Sequence, residues 1–336
     1  MKAMIFNTFG PPDVLHYEDV PDPAPGPGDL LIEVHAVSVN RVLDVAIRAG
    51  RAPHYGVELP HILGVDPSGV VVGVGNDVGS AAARFAVGDR VSVTMGMPGG
   101  GRYGIECDGG DAQLTTAPAA SCVKIRDEVG FAEATVISRH GPVAYNLLFN
   151  MGQLQTGQTV LVMGAAGNLG SIGVQLAKAA GATVIAAAGN AERAAIGTSL
   201  GADHAVDYNA ENLKDAVMNI TGGAGVDLFY DNIANPDICP LGIESLKQRG
   251  RMVTAGSHGG PVVPVDFSTV YHKQLTIMGN PRSNAQDALP CFDAAAEGSL
   301  DVVIDRVVPL SGAPDMHALI EADPGIGKVI LDPTLG

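Results

Sequence analysis

The sequence has few cysteines and no long hydrophobic run. Its four cysteines are widely scattered, and none forms a C-x-x-C pair. This spacing argues against a disulfide-stabilised scaffold and against a zinc knuckle, so we expect free thiols. No apolar run is long enough to cross a bilayer, and the N-terminal residues lack the apolar core of a signal peptide. We therefore expect a cytoplasmic protein that does not insert into a membrane.

Basic residues are also scarce. The chain has 20 Lys and Arg against 36 Asp and Glu, which gives a formal net charge of −16. A protein this acidic is repelled by nucleic acid and by anionic lipid, so neither is an expected partner. With 46% hydrophobic and 17% charged residues, the composition is that of a globular protein,. A chain of 336 residues exceeds what one core usually serves, and two domains are expected,.

The most informative stretch is TVLVMGAAGNLGSIGVQLAK, residues 159–178. A β-rich apolar run leads into a glycine loop and then into a segment with helical spacing of apolar residues. This order predicts a strand, a tight turn and a helix whose N-terminal N–H groups can receive a pyrophosphate. The predicted contacts are Gly164, Ala166, Gly167, Asn168, Leu169 and Gly170.

A second strand, 183–188, completes the βαβ unit that the glycine pattern requires,. Sheets that bind NAD usually place an acid at the end of this strand, but Ala188 is followed here by Gly189 and Asn190,. Arg193 lies just beyond and could pair with a 2′-phosphate. We therefore expect NADPH in preference to NADH, although Arg193 could equally be a solvated surface charge.

The pattern of apolar residues changes along the chain. Up to about residue 124, short β-rich runs are separated by Pro and Gly, which predicts a barrel-like antiparallel domain,. From about Phe131, strands alternate with helices, including predicted helices over 209–220 and 236–248, as in a doubly wound parallel sheet,. The tail is too short for a domain and is expected to rejoin the first one. The predicted bounds are 1–125 with 279–336 for the barrel domain and 126–278 for the nucleotide domain.

These segments resemble the medium-chain dehydrogenase/reductase superfamily. The similarity covers nearly the whole chain and includes the glycine turn, PGPGDLLIEVHAVSVN, LGVDPSGVVVGVG and GADHAVDYNAENLKDAVMNITGGAGVDLFYDNI. Within the superfamily the chain is similar to the zinc-free quinone oxidoreductase and ζ-crystallin branch. The resemblance implies a Rossmann domain of the α/β class, a GroES-like β-barrel domain, an active cleft between them and a homodimer joined through edge strands near residues 275–278.

The branch is indicated by the positions that hold zinc in related alcohol dehydrogenases. There, zinc is bound by a cysteine after an early strand and by a Gly-His-Glu step, whereas this chain has Asn40 and Gly64-Val65-Asp66. Asn and Val do not supply the thiolate and imidazole that zinc favours, so no metal is expected. An unusual site built from His54, His61 and His140 has no ligand spacing to support it.

The stretch NRVLDVAIRAG, residues 40–50, is similar to the family segment that faces the nicotinamide. Asn40 could orient a carbonyl substrate or the amide of the cofactor by hydrogen bonding. Asp44 is a second candidate, but Asp44 and Arg48 could instead form an i,i+4 ion pair on one helix. Tyr55 could donate a proton to a developing enolate or could be a packed surface aromatic.

The remaining cofactor candidates come from strand ends and from the resemblance. Residues that follow successive parallel strands are expected to border the nicotinamide, and the resemblance adds a tyrosine near the 2′-phosphate. A lysine near the C-terminus is a further candidate cation for that phosphate, or a solvated surface charge. These candidates are Gly189, Tyr208, Asn232, Gly256, Asn280 and Lys328.

The expected activity is NADPH-dependent, zinc-independent hydride transfer to a quinone or to an α,β-unsaturated carbonyl compound. Two alternatives remain open at this point. One is a zinc-independent carbonyl reductase or alcohol dehydrogenase, which needs a proton donor such as Tyr55 or His61. The other is a non-catalytic nucleotide sensor or structural protein, since a fold does not fix a function.

Overall fold

The structure is a computed structural model that describes residues 1–76, 81–256, 259–260, 262–280, 284–323 and 325–335. Sixteen strands lie in these residues. In chain order they are β1 (Lys2–Phe6), β2 (His16–Asp19), β3 (Asp29–Ser38), β4 (His61–Ile62), β5 (Ser68–Val74), β6 (Arg90–Val93), β7 (Leu114–Pro118), β8 (Cys122–Lys124), β9 (Thr159–Met163), β10 (Thr183–Ala188), β11 (His204–Asp207), β12 (Val226–Asp231), β13 (Leu246–Thr254), β14 (Thr276–Gly279), β15 (Ile304–Pro309) and β16 (Lys328–Asp332).

Nine α-helices lie in the same residues. They are α1 (Ala46–Arg48), α2 (Phe131–Tyr145), α3 (Asn168–Ala179), α4 (Ala191–Ser199), α5 (Leu213–Ile220), α6 (Cys239–Glu244), α7 (Phe267–Lys273), α8 (Leu289–Ala296) and α9 (Ala313–Ala322). A π-helical turn, Arg41–Val45, leads directly into α1. No helix in the described residues is both long and apolar enough to cross a bilayer.

The chain folds into two compact units. The first comprises Met1–Arg139, Asn284–Ala296 and Val303–Gly336, and the second comprises His140–Ser283 and Glu297–Val302. Each unit is described by itself below.

The first unit is built on β-sheets. Its larger sheet has the strand order β15-β16-β3-β5-β6-β8, with β7 also paired to β3, and a small sheet has the order β2-β1-β4. All these pairings are antiparallel except β15 with β16. In β3, Leu30, Ile32 and Val34 are buried, whereas Glu33 is exposed, which is the period-2 pattern of a strand with one face on the core,.

The second unit is a parallel sheet with helices, which confirms the predicted fold class. Its strand order is β11-β10-β9-β12-β13-β14, and every pair is parallel. This is the order of a doubly wound dinucleotide fold, in which β9 is central and the strand order reverses beside it. The core strands β9 and β10 are almost wholly buried, as expected when both faces of a sheet are covered,.

Two predicted helices differ from the observed ones. The segment 209–220 becomes helical only at Leu213, because Asn209 is held in a turn by the Asp207 carboxylate and Asn212 caps the helix,. The predicted helix 236–248 is wrong at its C-terminal end. There α6 ends at Glu244, and β13 begins at Leu246, which pairs with Val226.

Candidate functional site

The glycine turn lies between β9 and α3 in the second unit, as the sequence predicts. Gly164 has a φ of 63°, and a Cβ on it would lie 2.5 Å from Oδ1 of Asn232. A Cβ on Gly170 would lie 2.2 Å from the carbonyl oxygen of Gly164. Gly167 is the N-cap of α3, and a Cβ on it would lie 3.3 Å from the same oxygen. The turn therefore needs glycine at 164 and 170 for packing, whereas a Cβ at position 167 would make one close contact, with the Gly164 carbonyl oxygen, which a small shift of that oxygen would relieve.

The N-terminus of α3 presents the remaining predicted contacts. Ala166 is buried, and Asn168 and Leu169 are partly exposed at the first helical turn. The Leu169 carbonyl accepts a 3.1 Å hydrogen bond from the Tyr230 hydroxyl on β12, which fixes the helix against the sheet. The first N–H groups of a helix have no partner within it, so this end can bind an anion.

A second group of predicted residues lies beyond the ends of β10 and β11. A Cβ on Gly189 would be 3.2 Å from the Tyr208 hydroxyl. Burial raises the pKa of Tyr208, while the nearby positive charge of Arg193 acts in the opposite direction. Among the described residues, no carboxylate lies within ion-pair distance of the Arg193 guanidinium, not even that of its neighbour Glu192. Arg193 is thus a cation beside a tyrosine with no anionic partner of its own.

The third group is formed by residues that follow β12, β13 and β14. A Cβ on Gly256 would overlap the backbone of Asn232, so these two strand ends touch. The backbone N–H of Asn280 bonds to the Thr254 carbonyl at 2.8 Å, and its Oδ1 accepts from Asn146 Nδ2 at 3.2 Å. The structure brings Gly164, Asn232 and Gly256 together at the carboxyl ends of the parallel strands, where this fold binds its ligands.

The first unit contains a separate buried polar group around Asn40. Lys328 Nζ donates to Asn40 Oδ1 at 2.6 Å, and Asn40 Nδ2 donates to Asp66 Oδ2 at 3.1 Å and to the Ser38 carbonyl at 3.2 Å. Asp66 also accepts from the Ser38 N–H at 2.9 Å and from the Ser38 hydroxyl at 2.6 Å. Both N–H groups of the Asn40 amide are therefore used within the protein. Its Oδ1 keeps one further acceptor position.

Burial controls the charges in this group. Asp44 and Lys328 are 1% and 5% exposed, and Asp66 and Asp111 are also buried. Burial, helped by the Asp66 carboxylate, raises the pKa of Asp44 to about 6. Burial lowers the pKa of Lys328 to about 8, although Asp66 and Asp44 oppose the change. Burial also raises the pKa of Asp111 well above its usual range, with the Asp44 and Asp66 charges adding to the effect.

Asp44 and Arg48 do not form the i,i+4 ion pair that was one of the two readings of the sequence. Asp44 Oδ2 accepts instead from the Asn40 N–H at 2.7 Å. Arg48 pairs with Glu321 of α9 at 2.8 Å and donates to the Gly10 carbonyl. The reason is the π-helical turn at Arg41–Val45, which shifts the side chains away from α-helical spacing,.

Tyr55 does not belong to the hydrogen-bonded group around Asn40. Its ring lies 4.8 Å from the Arg102 guanidinium and 4.3 Å from the His54 ring, and it packs against the hydrophobic core of the first unit. In the described part of the chain its hydroxyl has no protein hydrogen-bond partner. The ring is thus held by packing, which agrees with the aromatic reading, while the hydroxyl stays available as a donor.

Lys328 is placed differently from its predicted role beside the 2′-phosphate. Its ammonium is buried in the first unit and donates to Asn40, so it is not a surface cation open to a phosphate group. Sequence reasoning also missed Ser38 and Asp111. Ser38 shares a strand face with position 40 through the period-2 rule, and this alternation could have linked it to Asn40. Asp111 has only a weaker signal, as an acid directly after two glycines.

The residues at the zinc positions do not fit a metal. Val65 is aliphatic, Asn40 Oδ1 faces an ammonium, and both oxygens of Asp66 accept hydrogen bonds from Ser38,. No group of three or more His, Cys, Asp or Glu residues in the described parts of the chain is arranged to hold a metal ion. His61 contacts the Gly104 carbonyl at 3.1 Å, and the His54 ring packs against the Tyr55 ring at a tilt of 39°.

Comparisons with known proteins agree on one family. Residues 26–127 match the alcohol dehydrogenase GroES-like domain, and residues 168–297 match the zinc-binding dehydrogenase domain. A quinone oxidoreductase of Pseudomonas aeruginosa is 28% identical, with 99% of each chain covered. A 2-haloacrylate reductase of a Burkholderia species is 29% identical over 99% of each chain. A mycobacterial protein solved in complex with NADPH is 31% identical, with a TM-score of 0.81, and covers 99% of this chain and 100% of its own.

Proposed function

The chain belongs to the medium-chain dehydrogenase/reductase superfamily, in its quinone oxidoreductase branch, and on that basis we propose a specific reaction for this oxidoreductase. The protein transfers hydride from NADPH to a quinone or to the double bond of an α,β-unsaturated carbonyl compound, without zinc. The observation that carries the proposal is Arg193, which lies beside Tyr208 and has no ion-pair partner among the residues that the structure describes, at the end of a strand that lacks the acid used to bind NADH,.

The residues of the second unit fit such a cofactor. The N-terminus of α3, with Gly167 as its N-cap, suits a pyrophosphate, and Ala166, Asn168 and Leu169 lie in the same turn,. Arg193, Gly189 and Tyr208 suit the phosphorylated ribose, because a guanidinium binds phosphate through charge-assisted hydrogen bonds. The strand-end residues Asn232, Gly256 and Asn280 would border the nicotinamide ring. A solved mycobacterial relative contains NADPH, which supports this choice.

When bound, NADPH supplies the hydride, and the protein supplies orientation and a proton. Asn40 would orient a bound group by accepting a hydrogen bond at Oδ1, because its own N–H groups are already used by Asp66 and Ser38. Asp44 fixes the backbone of Asn40. The Tyr55 hydroxyl or solvent supplies the proton, a role for which a positioned phenol is suited.

Two relatives indicate the substrate class. Their names describe reduction of a quinone and of a 2-haloacrylate, both of which are conjugated acceptors. A conjugated acceptor takes hydride at carbon and places the negative charge on oxygen, so the reaction needs no metal to activate an isolated carbonyl group. The cytoplasmic location expected from the N-terminal sequence stays a prediction.

We also propose a homodimer formed through β14. This strand is at the edge of the parallel sheet, and Ile277 on it is 41% exposed. Tyr271 and Phe267 on the preceding helix α7 are 77% and 78% exposed. Apolar residues of this size on an unpaired strand edge favour pairing with a second copy. Ile277→Lys should lower the mass in light scattering to that of a monomer, whereas Val87→Lys, at a 67% exposed loop position, should not.

The experiment that tests the reaction follows a deuterium label. NADPH carrying deuterium at the transferable position is incubated with a panel of quinones and enones, in the presence of a metal chelator. We expect deuterium on the carbon β to the carbonyl group of the enone. Deuterium on the carbinol carbon would instead identify a carbonyl reductase, and tight NADPH binding without turnover on any acceptor would identify a non-catalytic nucleotide-binding protein.

A further inference from the structure

Asn40 lies between a buried cation and a buried anion. Its Oδ1 is 2.6 Å from the Lys328 ammonium, and its Nδ2 is 3.1 Å from the Asp66 carboxylate. Lys328 comes from β16 and Asp66 precedes β5, so the two charges reach the end of β3 from different strands. The orientation of the Asn40 amide is thereby fixed. Exchanging its oxygen and nitrogen would place the amide NH2 against the ammonium, which is also a donor, and the amide oxygen against the carboxylate, which is also an acceptor.

Besides Asp66, the charges of Asp44 and Arg139 act on Lys328, and Asp111 interacts in turn with Asp44 and Asp66. Asp44 lies on the turn before α1, Asp111 precedes β7, and Arg139 lies on α2. Burial raises the pKa of Asp111 well above its usual range, and the Asp44 and Asp66 charges add to the effect. The pKa of Lys328, at about 8, leaves its ammonium mostly charged at pH 7. Lys328 is therefore the cation in direct contact with Asn40, and Asp66 is the carboxylate bound to the same amide.

In zinc-binding relatives, positions 40, 65 and 66 correspond to the cysteine and the His-Glu step that hold the metal. A divalent ion bound to residue 40 would lie close to the Lys328 ammonium, which already contacts that side chain. Two cations at such a distance in a buried site repel each other strongly. The Lys328 ammonium thus disfavours the binding of a divalent ion, and it would do so even if the missing metal ligands were restored.

We propose that the buried Lys328 ammonium is the resident cation of this site, taking the electrostatic place of zinc: it orients Asn40 toward Asp66 and excludes a divalent metal. Lys328 is a positioning residue for Asn40. The proposal rests on the zinc independence of the proposed function. It is tested by metal binding, which needs no turnover, so the proposal and the proposed function can fail separately.

The test restores metal ligands with and without the lysine. A double variant, Asn40→Cys with Val65→His, is compared with a triple variant that adds Lys328→Met. A matched control adds Lys2→Met instead, which removes an exposed lysine that pairs with Asp19. Cobalt(II) is the probe, because thiolate coordination gives a near-ultraviolet absorption band. We expect the Lys328→Met protein to bind cobalt at least about tenfold more tightly than the other two. Equal affinity in all three proteins would overturn the proposal.

A second measurement uses the protein without ligand substitutions, so that a folding defect cannot hide the answer. The side-chain ammonium signal of Lys328 is recorded by nitrogen-15 NMR in protein labelled at lysine, and it is assigned as the signal that Lys328→Arg removes. We expect a charged, slowly exchanging ammonium at pH 6.5 that titrates near pH 8. A lysine that is already neutral at pH 6.5 would overturn the proposal, because the site would then hold no cation.

Discussion

The Asp44 carboxylate accepts a 2.7 Å hydrogen bond from the backbone N–H of Asn40, while its other oxygen is buried and has no hydrogen-bond partner among the described residues. One oxygen of this carboxylate is therefore hydrogen-bonded, whereas the other is shielded from water without a hydrogen bond to replace it. The imbalance explains why burial dominates and the pKa of Asp44 rises to about 6,.

Relative to wild type, Asp44→Asn should have a more favourable effect on the free energy of unfolding at neutral pH than in acid. The folded protein binds the Asp44 proton more tightly than the unfolded chain, so wild type loses stability as the pH rises from about 4 to 6, and the loss remains above that range,. Asparagine does not titrate. The difference in the free energy of unfolding between variant and wild type should shift by about 1–3 kcal/mol in favour of the variant between pH 4.5 and 7.5 in urea titrations. The exposed Asp237→Asn is the control, and a difference independent of pH would contradict the assignment.

His317 on α9 predicts the opposite dependence on pH. Its ring is fully buried, neither ring nitrogen has a partner in the described chain, and burial together with the Arg48 charge lowers its pKa to about 3. In the unfolded chain His317 therefore takes up a proton near pH 6.5, whereas in the folded protein it stays neutral until the pH approaches 3. The free energy of unfolding falls as the pH drops from 6.5 toward 3. Between pH 7 and 5 this loss is about 2 kcal/mol.

His317→Leu should abolish that part of the acid sensitivity and cost little at pH 7, since it replaces unpaired polar atoms by a hydrocarbon of similar volume. Urea unfolding at pH 7 and pH 5 measures both effects. His16→Leu, at an exposed position, should leave the acid sensitivity unchanged. If wild type and His317→Leu lost the same stability between the two pH values, the buried ring would not be the source.

Gly167 and Gly170 should respond differently to alanine. At Gly170 a Cβ would collide with the Gly164 carbonyl at 2.2 Å, so Gly170→Ala should lower the free energy of unfolding by about 1–3 kcal/mol,. At Gly167 the nearest atom is the Gly164 carbonyl oxygen at 3.3 Å, a close contact that needs only a small shift, so Gly167→Ala should lower the free energy of unfolding by less than Gly170→Ala does,. Because its methyl group would face the pyrophosphate, Gly167→Ala should still weaken NADPH binding about tenfold or more in fluorescence titrations. Unchanged binding would show that the pyrophosphate does not approach Gly167.

Arg193→Gln should reduce the affinity for NADPH by about ten- to a hundredfold and leave the affinity for NADH almost unchanged. The reason is that a hydrogen bond between charged groups, here to the 2′-phosphate, contributes about 1.5–3 kcal/mol, and NADH lacks that phosphate. Competition titrations with both cofactors measure the ratio. Arg84→Gln, an exposed arginine of the first unit, is the control. An equal loss for both cofactors would point to a structural role for Arg193.

The sequence predicted the second unit well because local signals there agree with one another. The strands 159–163 and 183–188 were placed correctly, since apolar β-rich residues and the glycine turn mark both ends of each. The end of the helix predicted over 236–248 was wrong because Leu246 pairs with Val226 across the sheet. Lys247 and Arg249 are compatible with a helix by composition, and only a partner strand distant in sequence makes them part of β13.

The group around Asn40 shows a different limit. Its members Ser38, Asn40, Asp66 and Lys328 lie on or next to three strands, and the bond from Lys328 to Asn40 spans 288 positions. Periodicity describes neighbours within one element and carries no information on such pairings. The family resemblance located Asn40 and Asp66, but only the sheet order shows that a lysine near the C-terminus reaches them.

The position of β16 also determines when the hydrogen-bonded group around Asn40 can form during synthesis. This strand lies between β15 and β3, so the larger sheet of the first unit is incomplete until the last residues of the chain are available. The parallel sheet, whose strands run from β9 to β14, is made earlier and has all its strands before then. During synthesis the nucleotide fold therefore has all its strands while Asn40 still awaits the lysine that contacts it, so cofactor affinity should precede activity in the maturing molecule.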